Sequence, residues 1–387
     1  MLVTLDSITT KITKGTTPTS VGCTFENSGV NFIKSESLGN SRNIDRSKFA
    51  FISEQTHEKL KRSQIEKNDI LFSMAGMFLG KTGIVTDDLV PANTNQAVAI
   101  IRIDTEKANH EYVYYYLNQR SVVQAVNASS AQSAQPNINL KQIGQIEIDL
   151  PERKLQDKIV SILSAIDFKI EKNNQINENL EQQAKALYQQ MFIENTCPDW
   201  IEGSLRDIAD ITMGQSPSGS SYNEDGIGTI FFQGRAEFSF RFPTIRLYTT
   251  EPKRMAYAND ILMSVRAPVG DLNIAHTDCC IGRGLAAIHS KTNHQSFVLY
   301  TMFSLRKQLD VFNGEGTVFG SINRNSLNDM PILIPSDETI EEFEKIVAPM
   351  DAAIRNNYDE ICRLQAVRDS LLPRLMSGEL DVSSLDI

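Results

Sequence analysis

The chain has 387 residues, a net charge of −10, and 41% hydrophobic residues, which predicts a globular protein of two or more domains. No apolar run approaches the roughly 18 residues of a membrane span, and no signal peptide is recognisable, so we expect a cytoplasmic protein that does not cross a membrane. The five cysteines form no C-x-x-C pair, so neither a disulfide framework nor a zinc site is expected.

Residues 1–150 are predicted to form a first compact domain. The apolar residues Leu5, Ile8 and Ile12 precede a turn-rich stretch at residues 14–18. Residues 67–73 (KNDILFS) are typical of a turn that leads into a strand. A helix is expected over residues 110–126.

Residues 151–192 are predicted to form a first long spacer helix. Its apolar side chains recur at steps of three and four, which places them on one side. At about 1.5 Å per residue, such a helix is roughly 60 Å long, which is not typical of an ordinary core helix. The side chains assigned to a helix–helix seam are Leu155, Ile159, Ile162, Ile166, Ile170, Leu180 and Leu187.

The second half of the chain follows the same plan. We expect a linker at residues 193–202, a second domain at 203–335, a second long spacer helix at 336–378 and a tail at 379–387. The second helix has a heptad pattern with Asn357 and Arg368 in polar positions of the same register. The side chains assigned to its seam are Phe343, Val347, Met350, Ile354, Ile361, Leu364 and Leu371.

The two halves are copies of one unit. His110 and His294 lie 184 residues apart, as do Ile138 and Ile322 and the two prolines, Pro151 and Pro335. A constant separation over such a length indicates a tandem repeat. The predicted fold class is α/β (mixed α+β), with two globular domains separated by two long antiparallel coiled-coil helices in a pseudo-twofold arrangement.

No stretch of the sequence indicates catalysis. Residues 75–82 nearly match the phosphate-binding loop G-x-x-x-x-G-K-[ST], but Ala75 stands where the first glycine belongs, so a hairpin turn is the better interpretation. No Ser–His–Asp arrangement, paired carboxylates or metal-ligand spacing stands out. We therefore predict a protein that is not an enzyme and that holds no cofactor or metal.

Basic and amide side chains give a stronger indication of DNA binding. The net charge is 0 for residues 1–150 and −3 for 193–335, whereas residues 336–387 carry −7. The two globular segments can therefore present local basic faces to DNA phosphates. The candidate DNA contacts are Lys61, Arg62, Lys81, Gln233, Arg235, Arg241, Arg266 and Arg283. The alternative is a coiled-coil adaptor whose two domains bind proteins rather than DNA, which the overall acidity favours.

The whole chain resembles a specificity (S) subunit of a type I restriction-modification system. The resemblance is carried by residues 68–71 and 259–262 (NDIL in both), by the Ile-Asn pairs at 138–139 and 322–323, and by the ending at 371–380 (LLPRLMSGEL). The Glu-Gln pair usual near the start of these helices is represented by Gln156 alone in the first long helix and is absent from the second.

This resemblance implies two target recognition domains, each reading one half of a split site in double-stranded DNA, with the helices as a spacer. It also implies two methyltransferase (M) subunits that use S-adenosylmethionine, and restriction (R) subunits that use ATP and Mg. Two domains on one face of DNA should lie about one helical turn apart, roughly 34 Å. This chain itself would select the sequence without catalysing a reaction.

Overall fold

The computed structural model describes residues 1–39, 41–130, 136–314 and 320–385. The chain divides into two units, one formed by Met1–Lys172 with Glu360–Ile387 and the other by Asn173–Asp359. The first long helix covers Arg153–Tyr188 and continues into a π-helical turn at Gln189–Glu194. The second covers Asp337–Met376. Each long helix therefore contributes residues to both units.

The globular part of the first unit contains two four-stranded sheets and a separate strand pair. One sheet is antiparallel, in the order Thr9–Lys14, Val98–Ile103, Ile70–Ser73 and Thr82–Ile84. The other has the order Ala50–Ile52, Val30–Ile33, Ala92–Thr94 and Gln64–Ile65, with a parallel central pair. Leu2–Thr4 pairs with Glu147–Asp149. The helices are Glu54–Lys59, His110–Leu117, Arg120–Ser130 and Leu140–Gly144.

The second unit repeats this topology, which confirms the predicted mixed α+β tandem repeat. Its antiparallel sheet has the order Ala209–Met213, Leu285–Ser290, Ile261–Ser264 and Leu272–Ile274. Its mixed sheet has the order Tyr222–Asn223, Leu247–Thr249, Thr229–Phe232, Cys279–Ile281 and Met255–Ala256. Ile201–Ser204 pairs with Pro331–Ile334. The short helices are Leu205–Ile208, Gln295–Ser304, Arg306–Asp310 and Arg324–Asn328.

The repeated NDIL motif forms the same turn in both units. Asn68 and Asn259 adopt left-handed backbone conformations, with φ of 67° and 75°, which asparagine tolerates better than most residues. The carboxylates of Asp69 and Asp260, next in sequence, accept backbone N–H groups three residues upstream at 2.8 and 2.7 Å. The turn is closed by this bond, and the apolar residues that follow enter a buried strand. The turn into a strand predicted for residues 67–73 is confirmed, and the same turn recurs in the second copy.

The near-match to a phosphate-binding loop is a hairpin connection. Ile70–Ser73 and Thr82–Ile84 pair antiparallel, and the segment between them contains the 3-10 turn Gly76–Phe78. A phosphate-binding loop leads from a strand into a helix, whereas this segment leads into a second strand. The hairpin interpretation is confirmed.

In the first unit the two long helices run antiparallel. Arg368 donates to Asp167 at 2.9 Å, and Lys169 pairs with Glu360 at 3.4 Å, so higher numbers on one helix meet lower numbers on the other. The apolar side chains buried around this contact belong to both helices and to the first domain. Gln156 is 1% exposed, since its amide bonds to Asn109 N and to the carbonyl of Pro151, each at 2.8 Å.

In the second unit the same helices pack antiparallel with an aromatic contact at one end. The rings of Tyr188 and Phe343 lie 5.8 Å apart, and Asn357 donates to Asn177 at 2.8 Å. Asn357 and, in the first unit, Arg368 thus occupy the polar positions of the heptad pattern and bond to the opposite helix. A buried polar pair of this kind favours one register over its alternatives.

The structure buries the predicted seam residues to different extents. Those under 9% exposed are Ile159, Ile170, Phe343, Val347, Ile354 and Ile361. Those of intermediate exposure are Leu155, Ile162, Ile166, Leu180, Leu187, Met350, Leu364 and Leu371. Within the described ranges, no helix is long and apolar enough to cross a membrane.

Candidate nucleic-acid interface

In each domain, loops from both sheets meet at one edge, which we call the loop edge. In the first domain it consists of residues 14–17, 34–36, 61–62, 74–81 and 95–97. In the second domain it consists of residues 213–216, 233–235, 253–254, 265–270 and 282–284. The strand register places these loops together, since Ser73 lies opposite Val98 in the first domain and Ser264 opposite Leu285 in the second.

Matching backbone hydrogen bonds assemble the loop edge in each domain. Gly15 N donates to Val98 O at 3.1 Å, and Gly214 N donates to Leu285 O at 2.9 Å. Likewise, the N–H of residue 74 donates to the carbonyl of residue 97 at 2.7 Å, and that of residue 265 to residue 284 at 2.9 Å. The loops of the two domains therefore share one backbone arrangement while their side chains differ.

Glycine is required where the strands Thr9–Lys14 and Ala209–Met213 reach this edge. A Cβ atom on Gly15 would lie 2.1 Å from the carbonyl oxygen of Thr94, and one on Gly214 would lie 2.2 Å from that of Gly282. Both distances are far shorter than real contacts, and the clashing atoms are backbone. The turn-rich stretches found in the sequence are therefore sites of close backbone approach.

The loop edges are basic although the chain is acidic. In the first domain these loops contain five Lys or Arg residues and one acidic residue, and in the second domain five and none. Local clusters of this kind attract DNA phosphates even when the net charge is negative. The acidity of the chain lies elsewhere.

The predicted contacts of the first domain lie on the loop edge. Lys61 and Arg62 are exposed, and Arg62 donates to the hydroxyl of Thr16 at 3.1 Å. Lys81 has intermediate exposure and directly precedes the strand Thr82–Ile84. The structure thus brings these three cations to one side of the first domain.

Four predicted contacts of the second domain also lie on its loop edge. Gln233, Arg266 and Arg283 are exposed. Arg235 is exposed as well, but it pairs with Asp271, a carboxylate that also receives Arg306 at 2.6 Å. Its charge is therefore partly neutralised within the protein.

Arg241 does not lie on this surface, and its assignment as a DNA contact is wrong for this structure. The residue is 5% exposed, donates to Asp351 and to the hydroxyl of Tyr300, and lies 3.6 Å from Glu181. Burial by itself lowers the pKa of Arg241, but Asp351, Tyr300 and Glu181 together outweigh it and the pKa is raised, so the guanidinium stays charged. A buried cation held by these carboxylates cannot reach DNA.

Two exposed glutamines of the loop edges were not among the predicted contacts, Gln96 in the first domain and Gln215 in the second. The exposed cations of the loop edges that were not among them are Lys14, Lys253 and Arg254. Charge patterns gave no reason to select the glutamines. The strand order supplies the signal for Gln96, because it places this residue at the same point as Arg283. Among the described residues, no cluster of three or more His, Cys, Asp or Glu side chains could hold a metal ion.

Known proteins are similar in sequence to this chain over most of its length. The family model "Type I restriction modification DNA specificity domain" matches residues 1–182 and 198–361. The "Putative type I restriction enzyme MjaX specificity subunit" of Methanocaldococcus jannaschii is 29% identical over 372 residues, covering 90% of this chain and 87% of that protein. The "Type I restriction enzyme HindI specificity subunit" of Haemophilus influenzae is 23% identical over 406 residues, covering 82% and 88%.

A solved structure shares the fold. It is the crystal structure of the type I restriction-modification system S subunit from M. genitalium, with a TM-score of 0.59 at 15% identity over 97% of this chain and 95% of that one. Each of the two family matches contains one globular domain of this chain, which confirms the resemblance drawn from the motifs and favours DNA recognition over the protein-binding adaptor. The chain therefore belongs to the family of type I restriction-modification DNA specificity subunits.

Proposed function

We propose that each globular domain reads one half of a bipartite DNA site through its loop edge. The observation that carries this proposal is the duplication of a basic loop edge on two copies of one unit. Because the two domains share one backbone arrangement, they approach the duplex in the same way. Because their side chains differ, they recognise different half-sites. The chain selects the sequence and performs no chemistry.

The long helices set the distance between the half-sites and dock two methyltransferase (M) subunits. Apolar side chains on the helices support a docking role, since Phe168 is 59% and Val367 47% exposed in the first unit, and Ile346 is 43% exposed in the second. S-adenosylmethionine belongs to the M subunits, and ATP and Mg to restriction (R) subunits. The assembly acts in the cytoplasm.

The proposal is tested by reading base methylation in the chromosome of the source cells. We expect a split motif of two specific halves around a spacer of any sequence, and its loss when the gene for this chain is deleted. Restoring the gene on a plasmid controls for effects on neighbouring genes. Methylation that persists unchanged after the deletion contradicts the proposed function.

A loop-edge cation is expected to affect DNA affinity through phosphate contact. Replacing Arg266 with alanine should weaken binding to all duplexes alike, and should reduce the slope of log K against log salt by about 0.9, because one fewer counterion is released. The measurement is the dissociation constant of the complex with its methyltransferase over a series of salt concentrations.

Lys291 provides the matched control for this measurement. It follows the strand Leu285–Ser290 at the end opposite the loop edge, where it donates to the carbonyl of Arg206 at 2.6 Å. Replacing Lys291 with alanine should leave the slope unchanged. If Arg266→Ala and Lys291→Ala give the same slope as the unaltered protein, the loop edge is not the phosphate-binding surface.

A further inference from the structure

The two domains place different side chains at one equivalent point of the loop edge. In the first domain this point is Gln96, within the three-residue connection from Ala92–Thr94 to Val98–Ile103. In the second it is Arg283, within the three-residue connection from Cys279–Ile281 to Leu285–Ser290. Both connections join the mixed sheet to the antiparallel sheet, and both side chains are exposed.

The backbone of the two connections is closed in the same way. Val98 N donates to Asn95 O at 3.2 Å, and Leu285 N donates to Gly282 O at 3.0 Å. In each case the bond spans three residues, with Gln96 or Arg283 between the bonded pair. The two side chains therefore project from matching turns.

The turn in the second domain is held against its neighbours. Cβ atoms on Gly282 and Gly284 would lie 2.8 and 2.9 Å from the carbonyl oxygen of Gln233, so only glycine permits this approach. The hydroxyl of Ser216 accepts the N–H of Arg283 at 3.2 Å. A turn fixed in this way loses little conformational entropy on binding a ligand.

The turn in the first domain is fixed by side chains instead. The Asn95 side chain accepts the N–H of Ala97 at 3.1 Å, and the hydroxyl of Thr17 donates to the side-chain carbonyl of Gln96. Among the described residues, the amide N–H groups of Gln96 have no hydrogen-bond partner, so these groups and the second lone pair of that carbonyl remain available to a ligand.

The guanidinium of Arg283 is equally available. Across the part of the chain that the structure describes, no hydrogen bond or ion pair of this guanidinium is found, in contrast to Arg235 nearby, which Asp271 holds. A free guanidinium fork matches O6 and N7 of guanine, whereas a glutamine amide matches N6 and N7 of adenine, both in the major groove.

We propose that this point is a base-reading position, at which Gln96 reads an adenine in the first half-site and Arg283 a guanine in the second. The inference rests on the proposed function, because it requires that the loop edges contact DNA. It goes further by assigning one base pair of each half-site to one named side chain. Loss of a bidentate contact should cost about tenfold or more in discrimination at that base pair.

The test is the chromosomal methylation motif of source cells that carry Arg283→Gln, Gln96→Ala or the control Lys291→Gln. For Arg283→Gln we expect the preference for one G·C pair of the second half-site to fall at least about tenfold, with the first half-site unchanged. For Gln96→Ala one A·T pair of the first half-site should relax, with the second half-site unchanged. The control should keep the full motif.

Each other outcome overturns the inference. An unchanged motif in Arg283→Gln, at full or uniformly reduced methylation, means that Arg283 reads no base. If that strain loses all methylation, the affinity of the purified complex carrying Arg283→Gln for duplexes changed at each base pair in turn decides. Lost preference at one G·C pair of the second half-site then supports the inference, whereas equally weakened binding to every duplex overturns it. If the wild-type motif is not bipartite, the proposed function itself is contradicted. If the wild-type motif is bipartite, a negative result with the variants contradicts only this inference.

Discussion

Replacing Arg241 with methionine is expected to lower the free energy of unfolding of the second unit by about 3–5 kcal/mol. The change removes the cation that pairs with Asp351 and lies beside Glu181, and so leaves two carboxylates, whose side chains are only 19% and 15% exposed, without this partner. Urea unfolding followed by circular dichroism measures the loss. In Arg241→Met with Asp351→Leu, part of the stability should return, because the buried charge is removed as well.

Arg235→Met is the matched control for this comparison. Arg235 also pairs with an aspartate, but its side chain is 49% exposed, and an exposed ion pair contributes about 1 kcal/mol or less. If Arg241→Met costs no more than Arg235→Met, the buried pair does not stabilise the unit.

The repeat explains why an arginine from a loop occupies this site. Asp167 and Asp351 are 184 residues apart and therefore equivalent, and so are Ala184 and Arg368. In the first unit Arg368 on the second long helix pairs with Asp167. In the second unit the equivalent residue, Ala184, has no charge, and Arg241 from the loop before Leu247–Thr249 pairs with Asp351 instead.

Exchange of residues 1–150 for the segment of another family member should change the first half-site completely and leave the second unaltered. The reason is that each loop edge is built entirely within one domain, from strands of that domain. The chromosomal methylation motif is the measurement. A change in both half-sites would mean that the domains do not read DNA independently.

The stability of this exchanged protein should depend on the helix residues that accompany the segment. The core of the first unit includes Leu163 from the first long helix and Leu372 and Leu375 from the second. A segment from another family member presents a different surface to these side chains, so part of the packing in the core of the first unit is lost. Exchanging residues 1–172 together with 360–387 should therefore restore the melting temperature without altering the second half-site.

The first long helix shows where sequence periodicity succeeded and where it failed. The pattern correctly placed Ile159 and Ile170 inside, but apolar Ile176 is 47% exposed while neighbouring Asn177 is 2% exposed. Hydrophobicity cannot identify a buried asparagine, because the burial depends on a partner, Asn357, that lies 180 residues away. The second helix followed its heptad pattern more closely, since most of its seam is apolar.

The sequence by itself determined the tandem repeat, the two long helices and the family, because each of these can be recognised from local periodicity or from a constant separation along the chain. Only the tertiary structure separated exposed cations from buried ones. Arg241 and Arg283 are both arginines in loops, but within the described residues only Arg241 of the two has carboxylates within reach. The structure likewise brought Gln96 to the position of Arg283, because strand order decides which loops meet at an edge. Contacts between residues distant in the chain carry no local pattern, and the loop edge is assembled by such contacts.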